Sequence, residues 1–374
     1  MKQELTDQEL NTYARQIVLA DIGYDGQLKL RNAKVCLIGL GGLGSQIAPR
    51  MVGMGVGQLR MVDRDIVSRS DLHRQYLYDV DSLGRPKVEV AYEKLSRLNP
   101  DVELVVCPES LNSTNADEII GGVDVVLDGL DSPEARYVVN RTCNRLKIPY
   151  VFAAAIEAYG NVSTLVPGKS MCLECFMPGL KDEDLPKCGV VGVHPAILGI
   201  VTGVQTSEAV RILMGQSPKL IDKILYIDLR EMAFDVVELT ADENCSVCGA
   251  KSTEMIETVS GRFFEETCAR DGQRNFIISP RKRIEINLQK LGSVLAKKGF
   301  KIKTSGRFGI TFETSKEMTI CILKSATMIA QASPKLEDIQ KPDILGIYTS
   351  LGVLSSGLFP RSSFTWPGAA DSGH

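Results

Sequence analysis

The chain has 374 residues and carries 43 Lys and Arg against 46 Asp and Glu, a formal net charge of −3 at pH 7. This near-neutral balance gives no electrostatic case for nucleic acid or an anionic membrane as a partner. Each apolar run is interrupted before it reaches about 18 residues, so we expect no transmembrane span. The first residues of the chain lack the apolar core of a signal peptide. Ten cysteines without a secretion signal favour a cytoplasmic location and a metal-binding or catalytic use of cysteine.

The first elements of the chain predict a nucleotide-binding βαβ unit. A capping box at 6–9 predicts a helix to about Leu19 that carries Arg15. The apolar run 35–40 predicts a buried strand, which enters a G-x-G-x-x-G loop; a helix and a second strand ending at Asp63 follow. The glycines let the backbone approach a phosphate, and the acidic residue can accept hydrogen bonds from ribose hydroxyls. The candidate nucleotide-binding residues of this unit are Gly39, Gly41, Gly42, Leu43, Gly44 and Asp63.

The following elements continue an alternation of helices and strands. Pro49 is expected to bend or shorten the helix after the glycine loop. A polar loop at 68–75 precedes a helix that starts near Pro86, and further apolar strands come after it. This alternation predicts an α/β, Rossmann-like doubly wound sheet, in which ligands bind beyond the carboxyl ends of the strands. Asp63 and Asp131, which each follow a strand, are therefore expected to face one crevice.

Charged residues after these strands indicate which nucleotide chemistry the crevice supports. A hydride-transfer enzyme needs the glycines and Asp63, but no cluster of lysine, arginine and aspartate. Splitting a triphosphate does need one, because cations offset the charge of the phosphates and a carboxylate holds Mg²⁺. Taken singly, each charged residue is more readily interpreted as a surface charge. The set comprises Asp63, Asp65, Arg74, Gln75, Lys87, Asp128 and Asp131.

Two C-x-x-C pairs, Cys172/Cys175 and Cys245/Cys248, give the strongest metal signal. Four thiolates suit tetrahedral Zn²⁺, with each pair occupying one edge of the tetrahedron. The ion would hold the end of the first domain against its body, and four protein ligands leave no open position for catalysis. The rival hypothesis, a redox-active pair, requires a nucleophilic cysteine at the start of a helix, and neither pair clearly precedes one.

Cys188 lies in a polar loop ahead of a long apolar helix, predicted from Pro195 to about Met214. The adjacent Lys187 and a nearby helix N-terminus both favour a thiolate, although the residues alone favour a plain loop cysteine. His194 is placed to cap that helix. The remaining cysteines lie in apolar strand- or helix-like contexts and are expected to be packing residues: Cys36, Cys107, Cys143, Cys268 and Cys321.

Composition and pattern divide the chain into four parts. Residues 1–250 form the predicted nucleotide-binding domain, with a crossover loop at about 176–193, and residues 251–261 form a linker. Residues 262–348 have a mixed strand and helix pattern that predicts a small C-terminal α+β module. The last stretch, 349–374, is rich in Ser, Gly and Pro towards its end and is expected to be a disordered tail.

The order of these motifs resembles the ubiquitin-activating enzyme superfamily, which includes the ThiF- and MoeB-like adenylyltransferases of sulfur-carrier proteins. The resemblance covers about residues 8–250, and the motif order makes it far more specific than the glycine loop alone. The chain length is most similar to that of the small, single-chain homodimeric activators of ubiquitin-like proteins. The motifs are Tyr13-Ala-Arg-Gln16, Gly39-Leu-Gly-Gly-Leu-Gly44, Asp63-Arg-Asp65, His73-Arg-Gln75, Gly84-Arg-Pro-Lys87, Asp128-Gly-Leu-Asp131 and the two C-x-x-C pairs.

The resemblance implies that the first domain activates the C-terminal carboxylate of a ubiquitin-like or sulfur-carrier protein with a flexible tail. That carboxylate would attack the α-phosphate of Mg-ATP and release pyrophosphate. Cys188 would then form a thioester and pass it to a conjugating enzyme. By matching position, the resemblance assigns the ribose to Asp63, the phosphates to Arg74 and Lys87, Mg²⁺ to Asp131, further nucleotide contacts to Asp65, Asp71 and Gln75, and a contact across a homodimer to Arg15.

Departures from the family pattern leave alternatives open. The family usually has Asn where this chain has Asp71, and a carboxylate there adds negative charge near the phosphates. Ser132 replaces the Asn that often follows Asp-x-x-Asp. No rhodanese-like module is recognisable, and position alone suggests that the C-terminal module docks a conjugating enzyme or the ubiquitin-like protein. The alternative function is an adenylyltransferase that makes a thiocarboxylate, with Cys188 as persulfide acceptor or bystander; an NAD(P)-binding oxidoreductase and a nonenzymatic scaffold are disfavoured.

Overall fold

The structure is a computed structural model that describes residues 3–184, 191–249, 263–268, 274–280, 284–314, 318–332 and 341–351. Within these residues the chain forms two β-sheets. The larger sheet has eight strands and the smaller sheet has six. Cys188, the predicted linker and the predicted tail beyond residue 351 lie outside the described residues.

The larger sheet confirms the predicted α/β, doubly wound fold. Its strands are β1 (Lys34–Ile38), β2 (Gln58–Val62), β3 (Glu103–Cys107), β4 (Val125–Asp128), β5 (Tyr150–Ile156), β6 (Tyr159–Leu165), β7 (Lys223–Asp228) and β8 (Ala233–Glu238). They lie in the order β3-β2-β1-β4-β5-β6-β7-β8. Strands β1 to β5 are parallel, and β6, β7 and β8 each pair antiparallel. The order reverses between β1 and β4, which is the switch point where such sheets bind ligands.

Helices cover both faces of the larger sheet. They are α1 (Asp7–Thr12), α2 (Ala14–Ile17), α3 (Gly23–Asn32), α4 (Gly44–Gly53), α5 (Lys87–Leu98), α6 (Ala116–Ile120), α7 (Pro133–Leu146), α8 (Leu173–Phe176) and α9 (Pro195–Leu213). One core contains apolar side chains of α3, α4, α5 and α9, and the other contains those of α6, α7 and α8. Every residue of β4 is buried, as expected for a central parallel strand.

Two helices differ from the sequence expectation. Pro49 lies inside α4 and does not end it, because the helix continues to Gly53 and buries Met51 and Val52. The expected bend stays a prediction. The first predicted helix is divided at Tyr13, which lies between α1 and α2. The Tyr13 side chain is buried, and its hydroxyl accepts a hydrogen bond from Asn99 Nδ2 at 2.7 Å.

By length and composition, α9 is apolar enough to cross a membrane, with a mean hydropathy of 1.3 over an 18-residue window. Gly199, Gly203, Glu208 and Arg211 interrupt the apolar sequence of this helix, so its apolar runs stay short of about 18 residues as expected. The expected absence of a transmembrane span stays a prediction. Half of that window is buried inside the protein. Ile197, Leu198 and Val201 belong to the core of the larger sheet.

The smaller sheet is antiparallel and has the order β11-β12-β13-β14-β10-β9. Its elements are β9 (Phe264–Cys268), β10 (Arg274–Ile278), α10 (Leu288–Lys297), β11 (Lys301–Ser305), β12 (Gly309–Glu313), β13 (Thr319–Leu323), β14 (Met328–Ala332) and α11 (Lys341–Ser350). Strands β9 and β14 were missed, since two glutamates in one and three small or polar residues in the other give a weak strand signal. Helices α10 and α11 cover one face of the sheet.

Candidate active site

The glycine loop joins β1 to α4 at the switch point of the larger sheet. Gly39 has φ +92°, and a Cβ there would lie 2.4 Å from the carbonyl oxygen of Gly129. A Cβ on Gly44 would lie 1.9 Å from the carbonyl oxygen of Gly39. Glycine therefore permits a turn that brings the ends of β1 and β4 into contact. A phosphate bound beyond these strand ends would meet the N-terminus of α4.

Asp63 directly follows β2 and binds the backbone of the glycine loop. Its Oδ2 accepts a hydrogen bond from the amide of Leu40 at 2.7 Å, and its Oδ1 accepts one from the amide of Asp65 at 2.6 Å. Burial and the neighbouring Asp65 carboxylate raise the pKa of Asp63 to about 6, against the lowering effect of Lys87. These bonds fix the carboxylate beside the loop, where this fold places a nucleotide ribose.

The predicted phosphate ligands, Arg74 and Lys87, are both buried and both paired with carboxylates. Lys87 Nζ lies 3.2 Å from Asp65 Oδ2 and 4.0 Å from Asp71 Oδ2. A terminal nitrogen of Arg74 lies 3.0 Å from Asp71 Oδ1. Burial acts to lower the pKa of Lys87, but attraction by Asp65, Asp63 and Asp71 raises it, so the ammonium remains charged at neutral pH.

Two further side chains connect this charged cluster to the glycine loop. Gln75 Nε2 donates to Asp71 Oδ1 at 2.8 Å and lies 4.0 Å from the position that a Cβ of Gly41 would occupy. The hydroxyl of Tyr78 donates to the carbonyl of Leu40 at 2.9 Å. The structure thus brings the loop, Asp63 and the segment containing the two cations into one crevice. Tyr78 was not predicted as a site residue. Its position shortly after the predicted polar loop, 68–75, was the one available signal that it lies in the site.

The two acidic residues after β4 have different environments. Asp128 is fully buried, and its Oδ2 accepts hydrogen bonds from Arg136 Nε at 3.0 Å and from the hydroxyl of Tyr150. Its placement in the crevice was therefore wrong, because the buried Arg136 neutralises the carboxylate inside the core. Asp131 is exposed and follows Gly129, which contacts the glycine loop. The proximity of Arg136 and Tyr150 depends on tertiary packing, so no local pattern of residues could indicate this network.

The four thiols of the two C-x-x-C pairs converge. All four Sγ atoms lie within 4.8 Å of one another. The distance is 3.6 Å between Cys172 and Cys245, and 3.3 Å between Cys175 and Cys248. A tetrahedral zinc ion with bonds of about 2.3 Å spaces its sulfur ligands by about 3.8 Å, so the cluster fits this ion. Cys172 precedes the short helix α8, contrary to expectation, but convergence of both pairs is typical of a metal site and not of a redox pair.

Comparison with known proteins identifies the family. The model of the ThiF family matches residues 13–247. The chain belongs to the ThiF family. The superfamily resemblance predicted from the order of the motifs is thereby confirmed.

Curated relatives of this ThiF-family chain include the SAMP-activating enzyme E1 of Haloferax volcanii. It is 33% identical over 262 residues, which are 70% of this chain and 96% of that protein. The adenylyltransferase and sulfurtransferase MOCS3 of Drosophila persimilis is 35% identical over 258 residues, which are 68% of this chain. The match spans 57% of that MOCS3, little more than half of its length.

Solved structures show the same fold for this ThiF-family chain. E. coli MccB, crystallised with ATP, has a TM-score of 0.58 and 23% sequence identity. The superposition covers 65% of this chain and 75% of MccB. At this level of identity the likeness shows a shared fold.

Proposed function

We propose that the chain uses ATP to adenylate the C-terminal carboxylate of a ubiquitin-like or sulfur-carrier protein. The buried pair of cations, Arg74 and Lys87, beside the glycine loop of a ThiF-family chain carries this proposal. Hydride transfer has no need of two cations here, whereas a triphosphate does. The relatives' names, a SAMP-activating enzyme and an adenylyltransferase, support the same chemistry.

In the proposed reaction, ATP binds with its ribose at Asp63 and its phosphates at Arg74, Lys87 and the N-terminus of α4. The substrate carboxylate attacks the α-phosphate, the bond to pyrophosphate breaks, and an acyl adenylate forms. Arg74 and Lys87 stabilise the charge that develops on the phosphate oxygens. Mg²⁺, held by Asp131, would offset charge on the departing pyrophosphate. The carboxylates of Asp65 and Asp71 keep both cations in place before ATP arrives.

An exposed apolar face beside the crevice suits the protein substrate. Ile156, Tyr159, Tyr226 and Val237 are all exposed, and the strand register places them on one face of β5 to β8. Exposed apolar clusters of this kind are typical of protein interaction sites. Ile156 ends β5 at the carboxyl edge of the sheet, so a domain bound here would have its tail near the crevice.

We also propose that the α2 surface forms a homodimer contact. Arg15 is exposed on α2, and the residues that follow the helix, Val18 and Leu19, are 77% and 52% exposed. Apolar side chains this exposed, next to an exposed cation, support contact with another protein surface. In a dimer, Arg15 would enter the second subunit's crevice and add positive charge at the phosphates.

A thioester on Cys188 is proposed as the second step. The described residues on both sides of Cys188 lie next to the crevice. Ser132 Oγ donates to Asp182 Oδ1 at 2.8 Å, and the amide of Glu157 donates to the carbonyl of Gly192 at 2.8 Å. The Cys188 thiolate would attack the acyl carbonyl of the adenylate and displace AMP, and the proton of the thiol would pass to solvent. The acyl group would then move to a conjugating enzyme.

A second candidate is thiocarboxylate formation. The name of the MOCS3 relative combines adenylyltransferase with sulfurtransferase, which favours this possibility. Here sulfide, supplied by a separate sulfur donor, attacks the acyl adenylate, displaces AMP and gives the thiocarboxylate directly. If the attacking sulfur is instead a persulfide, AMP leaves and an acyl disulfide forms; a second thiol must then cleave its S–S bond, which releases the thiocarboxylate and leaves a disulfide. Cys188 would then carry the persulfide or take no part.

The deciding experiment combines the protein with Mg-ATP and a ubiquitin-like protein that ends in Gly-Gly. We expect ATP–pyrophosphate exchange and a conjugate that a thiol reductant releases. Cys188→Ala should abolish the conjugate and retain the exchange, whereas the control Cys107→Ala, at a buried packing cysteine, should retain both. An unchanged conjugate in Cys188→Ala contradicts the thioester step, and absence of exchange in the wild type contradicts adenylation.

Asp71→Asn is expected to lower the KM for ATP about three- to tenfold, because it removes a buried negative charge that competes with the phosphates for the two cations. The oxygen that remains can still accept from Arg74 and Gln75, so the positions of these side chains are kept. The same change should lower the free energy of unfolding by about 1 kcal/mol, because Asp71 Oδ2 accepts a hydrogen bond from the amide of Ser68 at 3.0 Å. This loss corresponds to a thermal unfolding midpoint a few degrees lower. The control Asp79→Asn makes the same charge change at an exposed pair with Lys94 and should leave the KM unchanged. A higher KM in Asp71→Asn would contradict this account.

A further inference from the structure

One face of the smaller sheet is covered by the nucleotide-binding segment, 63–87. Ile66 of this segment is buried in one apolar cluster with Ile277, Leu323 and side chains of neighbouring strands. Because α10 and α11 pack on the opposite face, the sheet is covered on both sides. Strand register aligns five residues in one row across the face that meets the segment: Glu265, Ile277, Ile329, Cys321 and Thr311.

Side-chain hydrogen bonds hold this segment to the same face at several points. Arg64 binds the Glu265 carboxylate through two N–H groups, at 2.9 and 2.8 Å. Thr311 Oγ1, at the other end of the row, donates to the carbonyl of Gly84 at 2.7 Å. Between them, Gln331 Nε2 donates to Ser68 Oγ at 3.3 Å. The segment therefore has its start, middle and end fixed on the smaller sheet.

The first turn of α5 is held in the same way. The Glu89 carboxylate, which is buried, accepts hydrogen bonds from the amides of Arg307 at 2.9 Å and Phe308 at 2.6 Å. Tyr92, one turn later, packs edge-on against the Phe308 ring with centroids 5.6 Å apart. Since α5 begins at Lys87, these contacts with the turn before β12 help to hold the end of the helix that carries this phosphate-binding cation.

We infer that the smaller sheet is a structural part of the nucleotide site, and that Glu265 is a positioning residue that acts through Arg64. This inference rests on the proposed function. The segment turns Asp71, Arg74 and Gln75 towards the glycine loop and Ile66 towards the smaller sheet, so movement of the sheet displaces the ligands. This face is filled by the nucleotide-binding segment and is closed to a conjugating enzyme, so any docking by the C-terminal module uses another surface.

The electrostatic surroundings of Arg64 connect the Glu265 pair to the crevice. Burial acts to lower the pKa of Arg64, but attraction by Glu265, Asp65 and Asp131 raises it. Arg64 therefore lies within the field of Asp131, the proposed Mg²⁺ ligand, and of Asp65, the partner of Lys87. Without Glu265, these carboxylates would compete for the guanidinium and move it from its present position.

The test uses the 374-residue chain and its variant Glu265→Gln, which keeps the shape of the side chain and removes its charge. We expect the dissociation constant for ATP, measured by calorimetry, to rise about three- to tenfold, as expected for a bidentate pair that is partly exposed. Backbone amides of 64–75 should exchange hydrogen faster than in the wild type without nucleotide. Glu265→Asp, which keeps the charge, should give intermediate values of both.

Glu266→Gln is the matched control. Glu266 is the next residue of β9 and also pairs with an arginine, Arg274 at 2.8 Å, but it faces away from the nucleotide segment. Both measurements should match the wild type. The inference is overturned if Glu265→Gln leaves either ATP binding or hydrogen exchange at 64–75 unchanged. Failure of the wild type to bind ATP would contradict the proposed function instead, and the hydrogen-exchange comparison would then decide the inference alone.

Discussion

Replacing Lys87 by alanine is expected to lower the rate of ATP–pyrophosphate exchange about 100- to 1,000-fold. This is the usual effect of removing one pre-organised group that stabilises developing charge. Lys87 is buried and held by Asp65 and Asp71, so no reorganisation is needed when phosphate charge develops. Its removal also leaves Asp63, Asp65 and Asp71 without a shared counter-charge, which disfavours a triphosphate in the same crevice.

The matched control for this prediction is Lys94→Ala. Lys94 lies on the same helix, α5, and also forms an ion pair, with Asp79 Oδ2 at 2.5 Å. That pair is exposed, so its loss is expected to leave the exchange rate unchanged and to cost at most about 1 kcal/mol of stability. Lys87→Ala with exchange within about twofold of the wild type would show that the phosphates bind elsewhere.

Loss of the metal site is expected to destabilise the fold without acting on the chemistry directly. We expect the wild type to bind zinc at the four thiols, and Cys245→Ser to bind none and to have a thermal unfolding midpoint roughly 10 °C lower. A ligand present at about 1,000 times its Kd stabilises the folded state by about 4 kcal/mol. Each kcal/mol moves the midpoint by about 2–4 °C in a domain of this size. The ion would join the segment after β6 to the segment after β8, which also pack together through Val247.

Metal content measured by atomic emission, together with thermal unfolding, checks this prediction. Cys107→Ala, which changes a buried cysteine outside the cluster, should retain the metal at wild-type stoichiometry. Cys245→Ser that keeps a full complement of zinc would contradict the four-thiolate site. A variant that loses zinc without any change in the unfolding midpoint would show that the ion does not stabilise the fold.

Local patterns were sufficient to predict the larger sheet and the positions of its loops. The glycine loop, Asp63 and the C-x-x-C spacings are encoded within short segments, because each requires particular residues at fixed separations. Their convergence followed from one general rule, that ligands bind beyond the carboxyl ends of parallel strands. The four thiols could be assigned to one metal site, because zinc geometry restricts the spacing of its ligands.

Contacts between distant segments could not be predicted in this way. Asp128 looked like a crevice carboxylate, but its environment is set by Arg136 and Tyr150, which reach it only in the folded protein. Strands β9 and β14 depend on pairing with β10, and their own sequences indicate little. The domain boundaries and all the roles assigned to the site residues stay predictions, including those of Asp63, Arg74, Lys87, Asp131, Arg15 and Cys188. Arg64 stands directly beside Asp63, yet its partner lies 201 residues further along the chain.

This separation along the chain affects the order in which parts of the protein fold during synthesis. The bonds from Gly84 to Thr311 and from Ser68 to Gln331 also join residues 227 and 263 positions apart. A nascent chain that has emerged only as far as β8 can pair all strands of the larger sheet. Ile66 is not yet buried at that stage, because the strands of the smaller sheet that pack against it have not been made. Because domains generally fold from the N-terminus as synthesis proceeds, the nucleotide segment acquires its final shape late. A nascent chain therefore contains every predicted ATP ligand before it can hold them in place.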